Sequence, residues 1–114
     1  MSEETIMSFD EKGLIPAVVQ DADTGEVLVL AWMNRESIAQ TYKTGHVTFW
    51  SRSRDELWEK GATSGNVLKF VSLWKNCEAN SFLMRARPVG PTCHTGNQSC
   101  YYREFDPATD LPAG

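Results

Sequence analysis

The sequence predicts an α+β fold, mostly antiparallel β-sheet with one clear helix, from three observations. Apolar and β-branched runs of strand length recur along the chain, separated by Gly, Pro, Asn and Asp. One segment, after Asn34, carries both a helix start and a helix stop. No internal repeat or low-complexity run breaks the pattern. The chain has 114 residues, 41% hydrophobic and 23% charged, the size and composition of one globular domain. Residues 1–12 read as a flexible lead-in, 13–103 as the folded domain and 104–114 as a flexible tail with Pro107, Pro112 and Gly114. A domain this small has a thin core, so a metal or a partner subunit would support it.

The elements follow in order. Leu14 to Gln20 is apolar and β-branched and reads as a strand, with Pro16 favouring a sheet edge. Asp21-Ala22-Asp23-Thr24-Gly25 is a turn, and Val27 to Trp32 is the returning strand of a hairpin. Asn34 is a good N-cap, Met33 and Ile38 stand at the positions of a hydrophobic staple, and Gly45 can end the helix. Ile38, Ala39 and Tyr42 mark its apolar face. His46 to Ser51 alternates, with Val47 and Phe49 on one side, and reads as a strand. Ser51 to Asn66 is polar and glycine-containing and reads as a long loop, with a helical turn at Asp55 to Trp58. Val67 to Trp74 and Ser81 to Arg87 are two further strands, joined by a turn over Lys75 to Asn80. Gly90-Pro91 opens another loop, and Ser99 to Arg103 reads as a last short strand. Trp32, Trp50, Trp58 and Trp74 are first a matter of packing, although any of them can stack on a base.

Net charge is −4, which argues against general nucleic-acid binding. The charge is uneven, however. Between Val27 and Arg103 there are ten Lys and Arg against five Asp and Glu. A basic middle in an acidic chain suits a small anionic ligand such as a phosphate ester. No apolar run approaches the ~18 residues that span a bilayer. The polar, acidic stretch Met1 to Asp10 lacks the pattern of a signal peptide. The expectation is a cytoplasmic protein with no membrane partner.

Three cysteines, Cys77, Cys93 and Cys100, do not suggest a disulfide framework. Three is the number of protein ligands a catalytic zinc takes when one position stays open for water, although no paired CxxC is present. His94, beside Cys93, is either an idle loop histidine or a general base near such a site. His46, at the start of a strand, reads as structural. Arg52, Arg54, Lys60, Thr63, Ser64 and Asn66 lie in a basic, glycine-containing stretch able to approach phosphate oxygens, or simply to be solvated. The stretch is not a Walker loop.

Gly13-Leu14-Ile15-Pro16-Ala17, Ala31-Trp32-Met33-Asn34, Phe49-Trp50-Ser51-Arg52-Ser53-Arg54, Thr63-Ser64-Gly65-Asn66, Gly90-Pro91-Thr92-Cys93-His94-Thr95-Gly96 and Ser99-Cys100-Tyr101-Tyr102-Arg103 resemble the phosphoribosyl-AMP cyclohydrolases in order and spacing. The resemblance runs from about Phe9 to Arg103. It implies an intertwined homodimer with active sites where the subunits meet. It implies zinc on Cys77, Cys93 and Cys100, a catalytic role for His94, and magnesium held around Cys77. The implied reaction is hydrolytic opening of the N1–C6 bond of the adenine ring of phosphoribosyl-AMP, in histidine biosynthesis. N1-ribosylation makes that ring cationic and C6 electrophilic, so a zinc-activated water can attack C6. Three thiolates weaken the acidifying effect of zinc on water, which makes a nearby base such as His94 matter more. Of the substrate's two phosphates, Arg52, Arg54, Lys60, Thr63 and Ser64 would serve one, and Arg85, Arg87 or Arg103 the other.

One stretch departs from the family. Where its members usually read Asp-Cys-Asp-x-Asp, this chain reads Asn76-Cys77-Glu78-Ala79-Asn80. One carboxylate is left of three, and magnesium favours carboxylate oxygens. The zinc site is expected intact and the magnesium site, at Asn76, Glu78 and Asn80, degraded. Three readings stay open: the same reaction with little or no magnesium, a paralogue that opens or deaminates a related purine nucleotide, or a non-catalytic zinc-binding dimer.

Overall fold

A computed structural model describes residues 6–113. β1 (Ile15–Asp21) and β2 (Val27–Met33) form the expected antiparallel hairpin. Asp21 shapes its turn: Oδ1 accepts from the Asp23 and Thr24 amides at 2.8 and 3.1 Å, and Gly25, at φ 83°, donates to the Asp21 carbonyl. Burial alternates along β1, with Ile15, Ala17, Val19 and Asp21 inward, so one face builds the core.

α1 (Arg35–Thr44) starts and stops where expected. Asn34 Oδ1 accepts from the Ser37 amide at 2.8 Å while Ser37 Oγ accepts from the Asn34 amide at 2.9 Å, a reciprocal cap. Gly45 ends the helix in the left-handed region at φ 78°. The buried face differs from the expected Ile38, Ala39 and Tyr42. Ser37 and Thr41 are buried, Ile38 is half-buried, and Ala39 and Tyr42 are exposed. Hydrogen bonding explains the rotation. Thr41 Oγ1 donates to the Ser37 carbonyl at 2.8 Å and accepts from the Thr48 amide at 3.0 Å, tying the helix to the next strand.

Three expectations are corrected by the sheet. Residues 51–66 are not all loop. β3 (Thr48–Ser51) and β4 (Glu56–Glu59) pair antiparallel, with Asp55 at φ 55° in the connection, so the helical turn expected at Asp55 to Trp58 is a strand. β4 is a short, charged edge strand with no buried alternation to betray it. Second, Pro16 lies in an interior strand. The order is β4-β3-β2-β1-β6-β5, where β5 is Leu68–Lys75 and β6 is Phe82–Pro88. β1 runs parallel to β6, but that ladder begins at Ala17, so Pro16 faces a partner on the β2 side alone. Third, Ser99 to Arg103 forms no strand. It docks instead on β2, whose ladder with β3 is limited to Trp32 opposite Trp50. The Cys100 amide donates to the Leu28 carbonyl at 2.8 Å and Ser99 Oγ to the Val27 carbonyl at 2.7 Å.

The sheet is therefore mixed, with β1–β6 its one parallel pair. It also curls: Phe70 donates to the Gly45 carbonyl and Val47 to the Leu68 carbonyl, both at 2.8 Å, joining the lead-in of β3 to β5. Phe49, Leu28, Met33, Leu68 and Met84 fill the enclosed core. The lead-in expected to be flexible falls partly on residues 1–5, outside the described residues. Met7 and Phe9 pack against the core, and the Ser8 amide donates to the Ala79 carbonyl at 2.7 Å. Residues 104–113 are exposed. Among the described residues no helix is long and apolar enough to cross a membrane.

Candidate active site

Strand β4, the loop that leaves it and the loop after β6 enclose a cavity of about 520 Å³. Arg54, Lys60, Thr63, Ser64, Asn66, Cys93 and His94 all line it, with Trp58 as an apolar wall. Residues far apart in sequence thus meet: the loop from Lys60 to Asn66 on one side, Cys93 and His94 on the other.

The first loop closes on itself because glycine allows it. Gly61 has φ 82° and accepts from the Gly65 amide at 2.8 Å. A Cβ on Gly61 would collide with the Asn66 carbonyl, and one on Gly90 with the Asn66 side chain. Asn66 is thereby gripped between the two loops. Lys60 is buried, and its ammonium lies 5.6 Å from the centre of the Trp58 ring. Arg54 is exposed and pairs with Glu56 at 3.5 Å.

The second loop is folded around Cys93. Its amide donates to the Asn97 carbonyl at 3.0 Å, and the Gly96 amide donates back to the Cys93 carbonyl at 2.9 Å. Thr95 Oγ1 donates to Cys93 Sγ at 3.0 Å and accepts from Asn97 Nδ2 at 2.9 Å. The Thr95 hydroxyl, and next its backbone, hold the Cys93 thiol below its ordinary 9.0; the Cys100 thiol and the Lys60 ammonium act in the same direction. Burial pushes the Cys100 thiol up, reinforced by the neighbouring Cys93 and opposed by Lys60. Cys93 and Cys100 thus influence each other's ionisation, and Cys93 is the easier to ionise. A depressed value means the Cys93 thiolate persists to lower pH than an ordinary cysteine. Thr95→Val, in protein stripped of metal, is expected to move the thiolate absorbance midpoint toward higher pH. An unmoved midpoint would remove the hydroxyl from this role.

Other expected residues lie elsewhere. Cys77 is exposed on the β5–β6 turn with Asn76, Glu78 and Asn80, and none of the four lines the cavity. Among the described residues no three His, Cys, Asp or Glu side chains converge as a metal site. Arg52 is also apart, its guanidinium stacked 4.3 Å over the Trp32 ring. Arg85 donates to the Ala22 carbonyl at 3.2 Å, Arg87 pairs with Asp23 at 3.2 Å, and Arg103 lies 5.5 Å from the Tyr102 ring. His46, read from sequence as structural, does not line the cavity and has its Nδ1 3.1 Å from Glu59 Oε2. The sequence reading missed Thr95, and named Trp58 only as one of four tryptophans able to stack on a base. The two-residue step from Cys93 to Thr95 was a usable signal for the first. The Glu-Leu-Trp-Glu run of β4 was the signal for the second.

The phosphoribosyl-AMP cyclohydrolase family model matches residues 29–102. A phosphoribosyl-AMP cyclohydrolase of Roseobacter denitrificans is 55% identical over 96 residues, 84% of this chain and 75% of the relative. One from Cereibacter sphaeroides is 49% identical over 96 residues, 84% and 81% of the two chains. A histidine biosynthesis bifunctional protein of Caldanaerobacter subterraneus is 50% identical over 104 residues, 91% of this chain but 51% of that longer protein. Identity of this order over 84% of the chain, with a family model that spans both cavity loops, leaves one conclusion: the chain belongs to the phosphoribosyl-AMP cyclohydrolase family.

Proposed function

We propose that this protein hydrolyses the N1–C6 bond of the adenine ring of phosphoribosyl-AMP, in histidine biosynthesis, at the cavity lined by Lys60 and His94. The carrying observation is that one cavity unites the loop at Lys60, Thr63, Ser64 and Asn66 with Cys93 and His94.

The donor chemistry fits zinc, but one chain supplies only part of it. Cys93 and Cys100 are a thiol pair already biased toward a thiolate, while Cys77 is exposed on a separate turn. The reading is a homodimer in which Cys93 and Cys100 of one copy and Cys77 of another hold the ion. Zinc, when bound, supplies a Lewis acid that makes water nucleophilic at neutral pH. The remaining work falls to the chain's own groups. His94 takes one proton of the attacking water and delivers it to N1 as the N1–C6 bond breaks, and the second water proton leaves the cationic adduct for solvent, so that C6 is left as a neutral carboxamide. Lys60, Thr63, Ser64 and Arg54 hold a phosphate. Trp58 offers an apolar face to the rest of the nucleotide.

The test is turnover of zinc-loaded protein on phosphoribosyl-AMP, followed by the ultraviolet change as the ring opens. Failure with zinc bound and the dimer formed would overturn the substrate. Arg54→Ala is expected to raise KM about tenfold or more, the loss of one charged hydrogen bond, with kcat little changed. An unchanged KM would take Arg54 out of the phosphate site.

A further inference from the structure

Magnesium is the group that the residues of this chain do not fit. Asn76, Glu78 and Asn80 are already bonded to one another in a continuous relay. Asn76 Oδ1 accepts from the backbone amides of Asn80 at 2.9 Å and Ser81 at 3.1 Å. Asn76 Nδ2 donates to Asn80 Oδ1 at 2.7 Å, and Asn80 Nδ2 donates to Glu78 Oε1 at 3.3 Å. The orientation of each amide follows from the relay. Two backbone N–H groups require an oxygen at Asn76 Oδ1, which leaves an NH2 to face Asn80, whose NH2 then faces the carboxylate. The backbone closes the same turn: Ala79 donates to the Asn76 carbonyl at 3.0 Å, and Ala79 takes φ 55°.

We infer that this turn is closed by its own amides and takes no divalent cation, presenting Cys77 without a second metal. The inference rests on the reading of Cys77 as a zinc ligand only for its consequence, not for the turn itself. A magnesium ion requires near-octahedral oxygen donors. Here Asn76 Oδ1 already accepts two hydrogen bonds and Asn80 Oδ1 one, an amide nitrogen stands between the two side chains, and Glu78 alone of the three carries charge. Aspartates at positions 76 and 80 would instead set two oxygens about as close as the present 2.7 Å pair, with no hydrogen between them. Such a pair needs a proton or a cation to stay together.

The experiment titrates Mn2+, as a paramagnetic probe, into zinc-loaded wild-type protein, alongside thermal melts with and without Mg2+. The expected result is no saturable Mn2+ site tighter than about 1 mM and a melting temperature indifferent to Mg2+. Turnover should be equally indifferent. The N76D/N80D variant should melt several degrees lower without cation, recover with Mg2+, and gain Mn2+ binding. A wild-type Mn2+ site of sub-millimolar affinity that is lost in E78Q/N80A would overturn the inference. So would an N76D/N80D variant that folds but gains no cation binding. If that variant does not fold, the wild-type titration decides. The titration and melts use no substrate, so they decide the question of the turn even if the proposed reaction fails.

Discussion

His94→Ala is expected to keep its zinc and lose about 10²- to 10⁴-fold in kcat, the range for a general acid–base group. His94 lines the cavity directly after Cys93, on a loop whose shape comes from the Cys93, Thr95, Gly96 and Asn97 bonds rather than from the imidazole. Removing the ring should therefore leave the thiol pair in place. The effect should be large because a thiolate-rich zinc acidifies water less than an imidazole-bound one, so the proton must be taken by the protein. Metal content by elemental analysis and single-turnover rates on phosphoribosyl-AMP check both halves. A variant with full metal and undiminished rate would remove His94 from the mechanism. Loss of metal together with activity would make it a positioning residue.

An equally large effect is expected from complementation. Cys77→Ala and His94→Ala should each be nearly inactive alone. Mixed and allowed to exchange subunits, they should recover about a quarter of wild-type turnover. Half of randomly formed pairs are mixed. In each of those, one of the two sites combines Cys93, Cys100 and His94 of the Cys77→Ala chain with Cys77 of the His94→Ala chain. The physical basis is the separation of Cys77, exposed on the β5–β6 turn, from the Cys93–Cys100 pair at β2. No recovery, with mixed dimers demonstrated by mass, would mean that each site is built within one chain. Full activity of Cys77→Ala alone would mean that Cys77 is not a ligand.

Local signals determined much of this protein. The Asn34 cap, the Gly45 stop and the Asp21–Gly25 turn are bonded within a few residues of themselves, so the sequence was enough to place them. The strands with a buried face were legible as apolar, β-branched runs, β3 by its alternation, and the family was legible from its two cavity-loop motifs. Tertiary structure alone decided the rest. β4 became a strand because β3 offered it an edge, although its own residues are exposed and charged. Residues 99–103 meet β2 at the Val27 and Leu28 carbonyls without forming a ladder. The inward face of α1 was set by the Thr41 hydroxyl, which bonds the Thr48 amide, with Ile38 alone of the three expected apolar residues packing against the core. The cavity is of the same kind. Lys60 and His94 stand 34 positions apart, and only the curl of the sheet brings their loops to face each other. Hydrogen bonds between neighbours in sequence can be read from composition and spacing. Bonds and cavities made between distant segments depend on which edge, carbonyl or side chain the rest of the fold leaves open.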